Sequence, residues 1–433
     1  SLSLACIADD FTGATDLANN LVRAGWRTLQ LLGLPEEGKS FVNAAGEPLD
    51  EEQLFAQTDA VVVALKSRTI DPLQAQAMSL QAWQWLQAQG AKRCYFKVCS
   101  TFDSTDKGNI GPVADALMDA LKADFAIVCP AFPAGGRTVF RGHLFVGDQL
   151  LSDSGMKDHP LTPMTDANLV RVLQAQMQGK VGLIDYNVVA RGAEAISACI
   201  GELRRDGVKA AVVDIISNSD LMALGQAVKD LPLVTAGSGV AIGLPQNFSL
   251  AGGSAAALPR FHGYKAIVSG SCSQATNAQV AHFIKQGGAA RRLDALQLAA
   301  GDAEIERALE WAQPLLGADK SAVLIYSTAE PTAVQAIQSR LGVIAAGQMI
   351  EAALAKVARG LVDAGVDQLL VAGGETSGAV VQALGIEALR IGPQIDPGVP
   401  WTMSIGEKPL ALALKSGNFG SQDFFTKAFQ VLS

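Results

Sequence analysis

Short apolar runs alternate with longer amphipathic stretches through most of the chain. The first run, Leu4–Ala8, is wholly apolar and bounded by polar residues, the pattern of a strand buried on both faces. Thr15–Ala24 follows with Leu17, Leu21 and Val22 on one helical face. Further strands are predicted at Thr28–Leu32, Ala60–Leu65, Cys94–Val98, Phe125–Cys129, Val181–Ile184, Ala210–Asp214 and Leu231–Thr235, with helical stretches such as Pro72–Gln89 and Gly111–Leu121 between them. This alternation predicts an α/β fold with mainly parallel sheets flanked by helices.

Two stretches break the rhythm. Ala131–Thr165 is rich in Gly, Pro, His and Asp, and it reads as a long functional loop inserted over a site. Gln246–Gly263 gathers Ser249, Gly252, Gly253, Ser254 and Pro259, with Ala255–Ala257 as its only helical stretch. Beyond it the alternation restarts at Lys265–Val268, Ser321–Tyr326, Gln368–Ala372 and Leu410–Leu414. The expectation is two domains, 1–245 and 264–433, joined by a linker at 246–263, with the active site in the cleft between them. A length of 433 residues agrees, at roughly 100–200 residues per domain.

Composition narrows the class. Hydrophobic residues make up 49% and charged residues 18%, enough to fill two cores. A formal net charge of −8 argues against a nucleic-acid partner. No apolar run approaches the ~20 residues of a membrane helix, and acids follow the first strand at once, so neither a membrane partner nor a signal peptide is expected. The six cysteines form no CxxC pair and read as reduced residues of a cytoplasmic protein, with Cys99 and Cys272 in loop-like positions. The four histidines are scattered, with no HExxH and no Cys/His cluster, which argues against a structural zinc site. A homo-oligomer stays open.

Two glycine patterns invite a nucleotide and are set aside. Gly33-Leu34-Pro35-Glu36-Glu37-Gly38-Lys39-Ser40 matches the P-loop pattern after a strand. A P-loop must open a helix, yet Gly46 and Pro48 stand where that helix would run. Gly237-Ser238-Gly239-Val240-Ala241-Ile242-Gly243 resembles a dinucleotide fingerprint but lacks the acid ~20 residues on that holds a ribose. A strand-to-helix turn lining the cleft is the preferred reading.

Chemistry concentrates in polar turns that follow strands, where open α/β sheets bind ligands. In the first domain these are Asp9-Asp10-Phe11-Thr12-Gly13, Lys66-Ser67-Arg68-Thr69, Cys99 to Thr105, and Pro133 to Thr138. They combine acids, hydroxyls and cations, a set suited to a small polyhydroxylated anion. Arg68 or Arg137 can grip a carboxylate in bidentate fashion. Asp10 or Asp103 can accept from a hydroxyl or take its proton, although an Asp after a strand also serves as a helix cap. Of the first pair, Asp10 is expected to face the ligand and Asp9 to turn toward backbone amides. In the second domain the turns are Ser269 to Ser273, Gly373 to Gly378, and Ser416 to Ser421. Small residues there let backbone amides approach oxyanions. An acid-sugar site and a phosphate site in one chain suggest phosphoryl transfer, with Mg²⁺ bridging the phosphates of ATP. The metal ligands are left open.

These segments together resemble the four-carbon acid sugar kinase family. The resemblance rests on ADDFTGATD from Ala8, KSRT at Lys66–Thr69, FDSTDKGNIGP at Phe102–Pro112, SGSCS at Ser269–Ser273, AGGETSG at Ala372–Gly378 and SGNFG at Ser416–Gly420. YFKVCSTFDST at Tyr95–Thr105 and the stretch Gly142–Leu169 resemble the family's 3-oxo-tetronate kinases most. The resemblance implies an ATP-dependent kinase acting on the 4-hydroxyl of 3-oxo-tetronate, with threonate or erythronate as alternative acceptors. It implies nucleotide contacts at Ser269, Gly373, Gly374, Glu375, Thr376 and Gly417, with Ser271 of the same Gly/Ser turn a further candidate. Substrate contacts are implied at Asp10, Arg68, Asp103, Ser104 and Thr105; Asp9, Lys66 and Arg137 join them as candidates from the polar turns. Asp103 is favoured over Asp10 as the catalytic base. A nicotinamide-dependent sugar-acid dehydrogenase and a non-catalytic sugar-acid sensor are the rivals from other classes.

Overall fold

A computed structural model describes residues 2–432 except 37, 38, 44, 160, 249–254, 328–337, 340 and 341. The chain forms two compact units. The first comprises residues 1–34 and 52–255, the second 35–51 and 256–433.

The first unit is built on a parallel sheet. Its strands are β1 (Leu4–Ala8), β2 (Thr28–Leu32), β3 (Ala60–Ala64), β4 (Cys94–Lys97), β5 (Ala126–Cys129), β9 (Lys180–Ile184), β10 (Val208–Val213) and β11 (Leu233–Ala236). They lie in the order β2-β3-β1-β4-β11-β5-β10-β9. Every pairing is parallel. All residues of β1 and β3 are buried, as near-continuous apolar strands covered on both faces must be. The helix Phe11–Arg23 returns across the sheet with Ala14, Leu17, Ala18 and Leu21 buried.

The stretch read as a long loop inserted over a site has its own sheet. β6 (Arg137–Phe140), β7 (His143–Val146) and β8 (Gln149–Leu150) form an antiparallel meander. Strands this short carry too few residues to show a period, which hid them in the sequence. Asp214 at the end of β10 pins the meander: it accepts from the amides of Arg141 and Gly142, both at 2.8 Å, and of Tyr186 at 2.9 Å.

The second unit carries β12 (Tyr264–Ser269), β13 (Ala290–Arg292), β14 (Val323–Tyr326), β15 (Val366–Ala372), β16 (Ala388–Asp396), β17 (Val399–Ser404) and β18 (Ala411–Lys415), ordered β13-β14-β12-β15-β18-β17-β16. β12 to β15 and β18 are parallel; β17 runs antiparallel to both of its neighbours. β13, β16 and β17 escaped the sequence reading. The first is only a triplet, and Gly392, Pro393 and Pro400 mimic breaks in the other two. Ile267, Leu324, Leu370, Phe283, Trp401, Phe424 and Phe425 share the core. The indole of Trp401 donates to the Ala428 carbonyl at 2.7 Å, so its one polar atom is satisfied.

Residues 35–51 carry the P-loop-like stretch into the second unit, where the Val42 amide donates to Glu387 at 2.6 Å. Val42 bridges Pro48, and among the described residues that follow Gly33 no helix opens before Glu51. Lys39 pairs instead with Glu36 on the surface. Among the described residues no helix is long and apolar enough to cross a membrane.

Candidate active site

Sheet order decides which turns meet. β1 lies between β3 and β4, so the turn after β1 is flanked at the carboxyl edge by those after β3 and β4. Arg68 is the centre. Its Nε and Nη2 donate to the two oxygens of Asp9 at 3.1 and 2.8 Å, and Nη2 also donates to Asp10 Oδ1 at 2.8 Å. Its Nη1 lies 3.7 Å from Asp103 Oδ2. The bidentate fork expected for a ligand is therefore closed on the protein's own Asp9. Asp9 does not turn toward backbone amides; Asp10 does. As N-cap of the helix Phe11–Arg23, Asp10 accepts from the Gly13 amide at 2.9 Å and from Thr12 Oγ1 at 3.1 Å. An extended residue just before a helix folds its carboxylate back onto the third amide, and Asp10, not Asp9, holds that position.

Lys97, the last residue of β4, is 2% exposed and lies under this cluster. Its ammonium donates to the Val98 carbonyl at 2.7 Å. A Cβ on Gly13 would stand 2.2 Å from Asp10 Oδ1 and 3.2 Å from Lys97 Nζ, so only glycine fits there.

Charge and burial set the carboxyls apart. For Asp10, burial opposes ionisation, but Arg68, Lys97, the Thr12 hydroxyl and the Gly13 amide outweigh it and hold the carboxyl below its ordinary range. For Asp9, burial wins over Arg68 and pushes the carboxyl up. Asp16, one turn along the helix, is also pushed up by burial, against the pull of Lys97 and a hydrogen bond from Ser238. Arg68 is raised well above its ordinary value, because Asp10 and Asp9 overcome its burial.

The turn after β4 is held in an unusual shape. Phe102 is fully buried with φ of 54°, a left-handed backbone costly for a bulky residue. Thr101 Oγ1 donates to Asp103 Oδ1 at 2.6 Å. Gln176 fastens the next residues, donating to Ser104 Oγ at 2.7 Å and to the Thr105 carbonyl while accepting from the Gly111 amide. Asn109 fastens the neighbouring turn: its amide donates to the carbonyls of Ser67 at 2.7 Å, Ile70 at 2.9 Å and Arg68 at 3.3 Å. Lys66 is exposed and makes no ion pair among the described residues.

Arg137 stands apart from Arg68, because β11 lies between β4 and β5. Its Nη1 donates to the Gly135 carbonyl, its Nε is buried without an acceptor among the described residues, and its charge acts on Asp16. The turn after β11 is Gly237-Ser238-Gly239. Ser238 Oγ donates to Asp16 Oδ2 at 2.7 Å, and Asn20 donates to the Ser238 carbonyl at 3.0 Å. A Cβ would lie 2.6 Å from the Pro130 carbonyl oxygen at Gly237 and 2.3 Å from that of Ala131 at Gly239. These glycines serve close packing of the turn after β11 against the Pro130 and Ala131 carbonyls.

In the second unit β12, β15 and β18 are neighbours, which brings its three small-residue turns together. Ser271, Gly373, Gly374, Glu375 and Thr376 line one cavity of ≈ 680 Å³, with Leu293 and Ile350 also in its wall. Gly373 has φ of 125°, and a Cβ there would meet Thr376 Oγ1 at 2.9 Å. The helix Gly374–Ala383 begins at this wall and presents its first amides, a natural anion site. Ser269 ends β12 fully buried, and Gly417 packs against Ser271. Lys415 closes β18. It is fully buried and donates to Thr276 Oγ1 and to the Ser416 and Gly417 carbonyls, each at 3.0 Å. With no carboxylate paired to it among the described residues, burial pulls its pKa down to about 7.

Residues 4–244 match a sugar-binding N-terminal domain and residues 266–425 a nucleotide-binding C-terminal domain. Proteins named 3-oxo-tetronate kinase from Cupriavidus necator and Burkholderia multivorans are 57% and 56% identical over 99% of this chain and 97% of theirs. The chain belongs to the four-carbon acid sugar kinase family. A solved Salmonella typhimurium protein is similar with a TM-score of 0.86 at 41% identity, covering 98% of both chains. A Haemophilus influenzae protein reaches 0.80 at 44% identity, over 99% of this chain and all of that one. The carboxylate cluster thus lies in the sugar-binding part of a family member, and the ≈ 680 Å³ cavity in its nucleotide-binding part.

Of the acids and cations expected from the sequence, Asp9, Asp10, Arg68 and Asp103 come together, while Lys66 and Arg137 lie outside the cluster. Lys97, Asn109, Gln176 and Lys415 were missed. Two of them carried a signal: Lys97 and Lys415 are single lysines closing an apolar strand just before a polar turn.

Proposed function

We propose that the chain transfers the γ-phosphoryl group of ATP to the 4-hydroxyl of 3-oxo-tetronate, giving 3-oxo-tetronate 4-phosphate and ADP. The observation that carries this reading is the 57% identity, over nearly the full length of both chains, with the Cupriavidus necator 3-oxo-tetronate kinase. The geometry supports it, with carboxylates and cations for a hydroxylated acid in one unit and a cavity with free helix amides for phosphates in the other.

Asp103 is the better base. Both oxygens of Asp10 are already engaged by Arg68, Gly13 and Thr12, and its lowered pKa makes it a weak proton acceptor. Asp103 binds Thr101 through Oδ1 and, among the described residues, leaves Oδ2 with only a loose contact to Arg68. In this reading Asp103 Oδ2 takes the 4-hydroxyl proton as the oxygen attacks phosphorus, and Asp10 orients the acceptor. Mg²⁺ needs only one or two carboxylates when phosphate oxygens supply the rest. Glu375, exposed on the cavity wall, fits that part. The metal would neutralise phosphate charge; the helix amides at Gly374–Thr376 hold the phosphates in place.

Purified protein with Mg-ATP and a panel of four-carbon acids tests the proposal. Turnover should be highest with 3-oxo-tetronate. No turnover on any of them would refute the kinase, and a preference for threonate or erythronate would refute the substrate. Asp103→Asn should lower turnover at least ~10²-fold with ATP binding intact.

A further inference from the structure

The carbonyl of Gly417 accepts from three side chains: Lys415 Nζ at 3.0 Å, Thr276 Oγ1 at 2.8 Å and Ser273 Oγ at 2.5 Å. The carbonyl before it, of Ser416, also accepts from Lys415 Nζ at 3.0 Å. In a trans peptide the C=O and the following N–H point to opposite sides. Turning both carbonyls inward onto one buried ammonium therefore turns the amides of Gly417 and Asn418 outward. Neither amide finds an acceptor among the described residues. Two successive outward amides form a concavity for an anion. It lies beside the cavity: a Cβ on Gly417 would come 2.4 Å from the hydroxyl of Ser271, which lines that cavity.

We propose that Lys415 is a positioning residue that builds a phosphate-binding nest from the Gly417 and Asn418 amides. The nest adds to the amides at the start of the helix Gly374–Ala383. Lys415 touches no nucleotide itself; its three donors are taken by Thr276, Ser416 and Gly417. It differs from a P-loop lysine, which reaches the phosphates directly. The ammonium acts from behind the loop, and Thr276 and Ser273 share the task. This inference rests on the reading of the second unit as the ATP site.

The test is calorimetric binding of ATP, ADP and adenosine to wild type, Lys415→Met and Thr276→Val, without acceptor acid. Lys415→Met should weaken ATP and ADP at least ~10-fold, while adenosine, which has no phosphate for the nest, binds as to wild type. Thr276→Val should weaken ATP several-fold in the same selective way. In turnover, KM for ATP rises and KM for the acid stays put. Equal loss for adenosine and ATP would reduce Lys415 to a packing role and overturn the inference. Unchanged ATP affinity would overturn it as well. If Lys415→Met does not fold, Thr276→Val decides by the same comparison. Failure of wild type to bind ATP would sink the ATP-site reading itself, a result distinct from these.

Discussion

Replacing Arg68 by Met should destabilise the first unit in a manner that acid relieves. Arg68 makes three hydrogen bonds to Asp9 and Asp10 and lies 3.7 Å from Asp103, with its side chain 19% exposed. Methionine keeps much of the stem volume and removes the guanidinium that, among the described residues, alone faces the three carboxylates. Breaking one partner of a buried pair costs about 3–5 kcal/mol; the partial exposure here places the loss near the lower end, about 3 kcal/mol at pH 7. For a unit of this size that lowers Tm by roughly 6–12 °C. The sign with pH follows from Asp10. Its carboxyl is held low in the folded wild type, so its contribution is present above the unfolded carboxylate pKa and fades as pH falls through the folded one. In the variant, burial acts on Asp9 and Asp10 without Arg68, so both folded carboxyls rise relative to wild type. The variant's deficit is then largest near neutrality and shrinks as pH falls and these groups protonate. Urea unfolding of wild type and variant at pH 7.5 and 5 measures it. A deficit under about 1 kcal/mol, or one that does not change with pH, would refute the placement of Arg68 as the counter-charge of the cluster. Arg68→Lys should rescue little, since a lysine cannot reproduce the fork on Asp9.

Other outcomes follow from the same geometry. Gly13→Ala should abolish most turnover, because its methyl would enter the space of Asp10 Oδ1; circular dichroism and ATP binding should stay near wild type. Asn109→Leu removes a donor from three carbonyls and should cost about 1–3 kcal/mol. It should also raise KM for the acid more than KM for ATP, as read by steady-state kinetics. Lys415 has a folded pKa of about 7 against 10.5 when free, so the folded state holds fewer protons between these values and wild type gains stability as pH rises through that window. Relative to Lys415→Met, wild type should gain about 2 kcal/mol between pH 7 and 9 in urea unfolding.

The chain order of β1, β3, β4, β5 and β11 says nothing of their order in the sheet. Each polar turn was legible, because a buried apolar strand ending in acids, cations or small residues is a local pattern. So was the division into a sugar-side and a nucleotide-side half, since the motifs follow one another along the chain. The rejection of the P-loop-like stretch also rested on local grounds, the Gly and Pro that forbid its helix. What the turns do to one another was not legible. Placing β1 between β3 and β4 makes Asp9, Asp10, Arg68 and Asp103 neighbours; inserting β11 beside β4 leaves Arg137 outside and seats Ser238 on Asp16. The capping of a helix by Asp10 rather than Asp9 turns on which residue is extended at the helix start. The roles of Lys97, Asn109, Gln176 and Lys415 depend on partners brought in by other strands and helices, or on an inward turn of two carbonyls. Local sequence determines where polar chemistry can emerge from a sheet. Only the tertiary structure, by fixing strand order and burial, decides which charges meet and which of them stay free for a ligand.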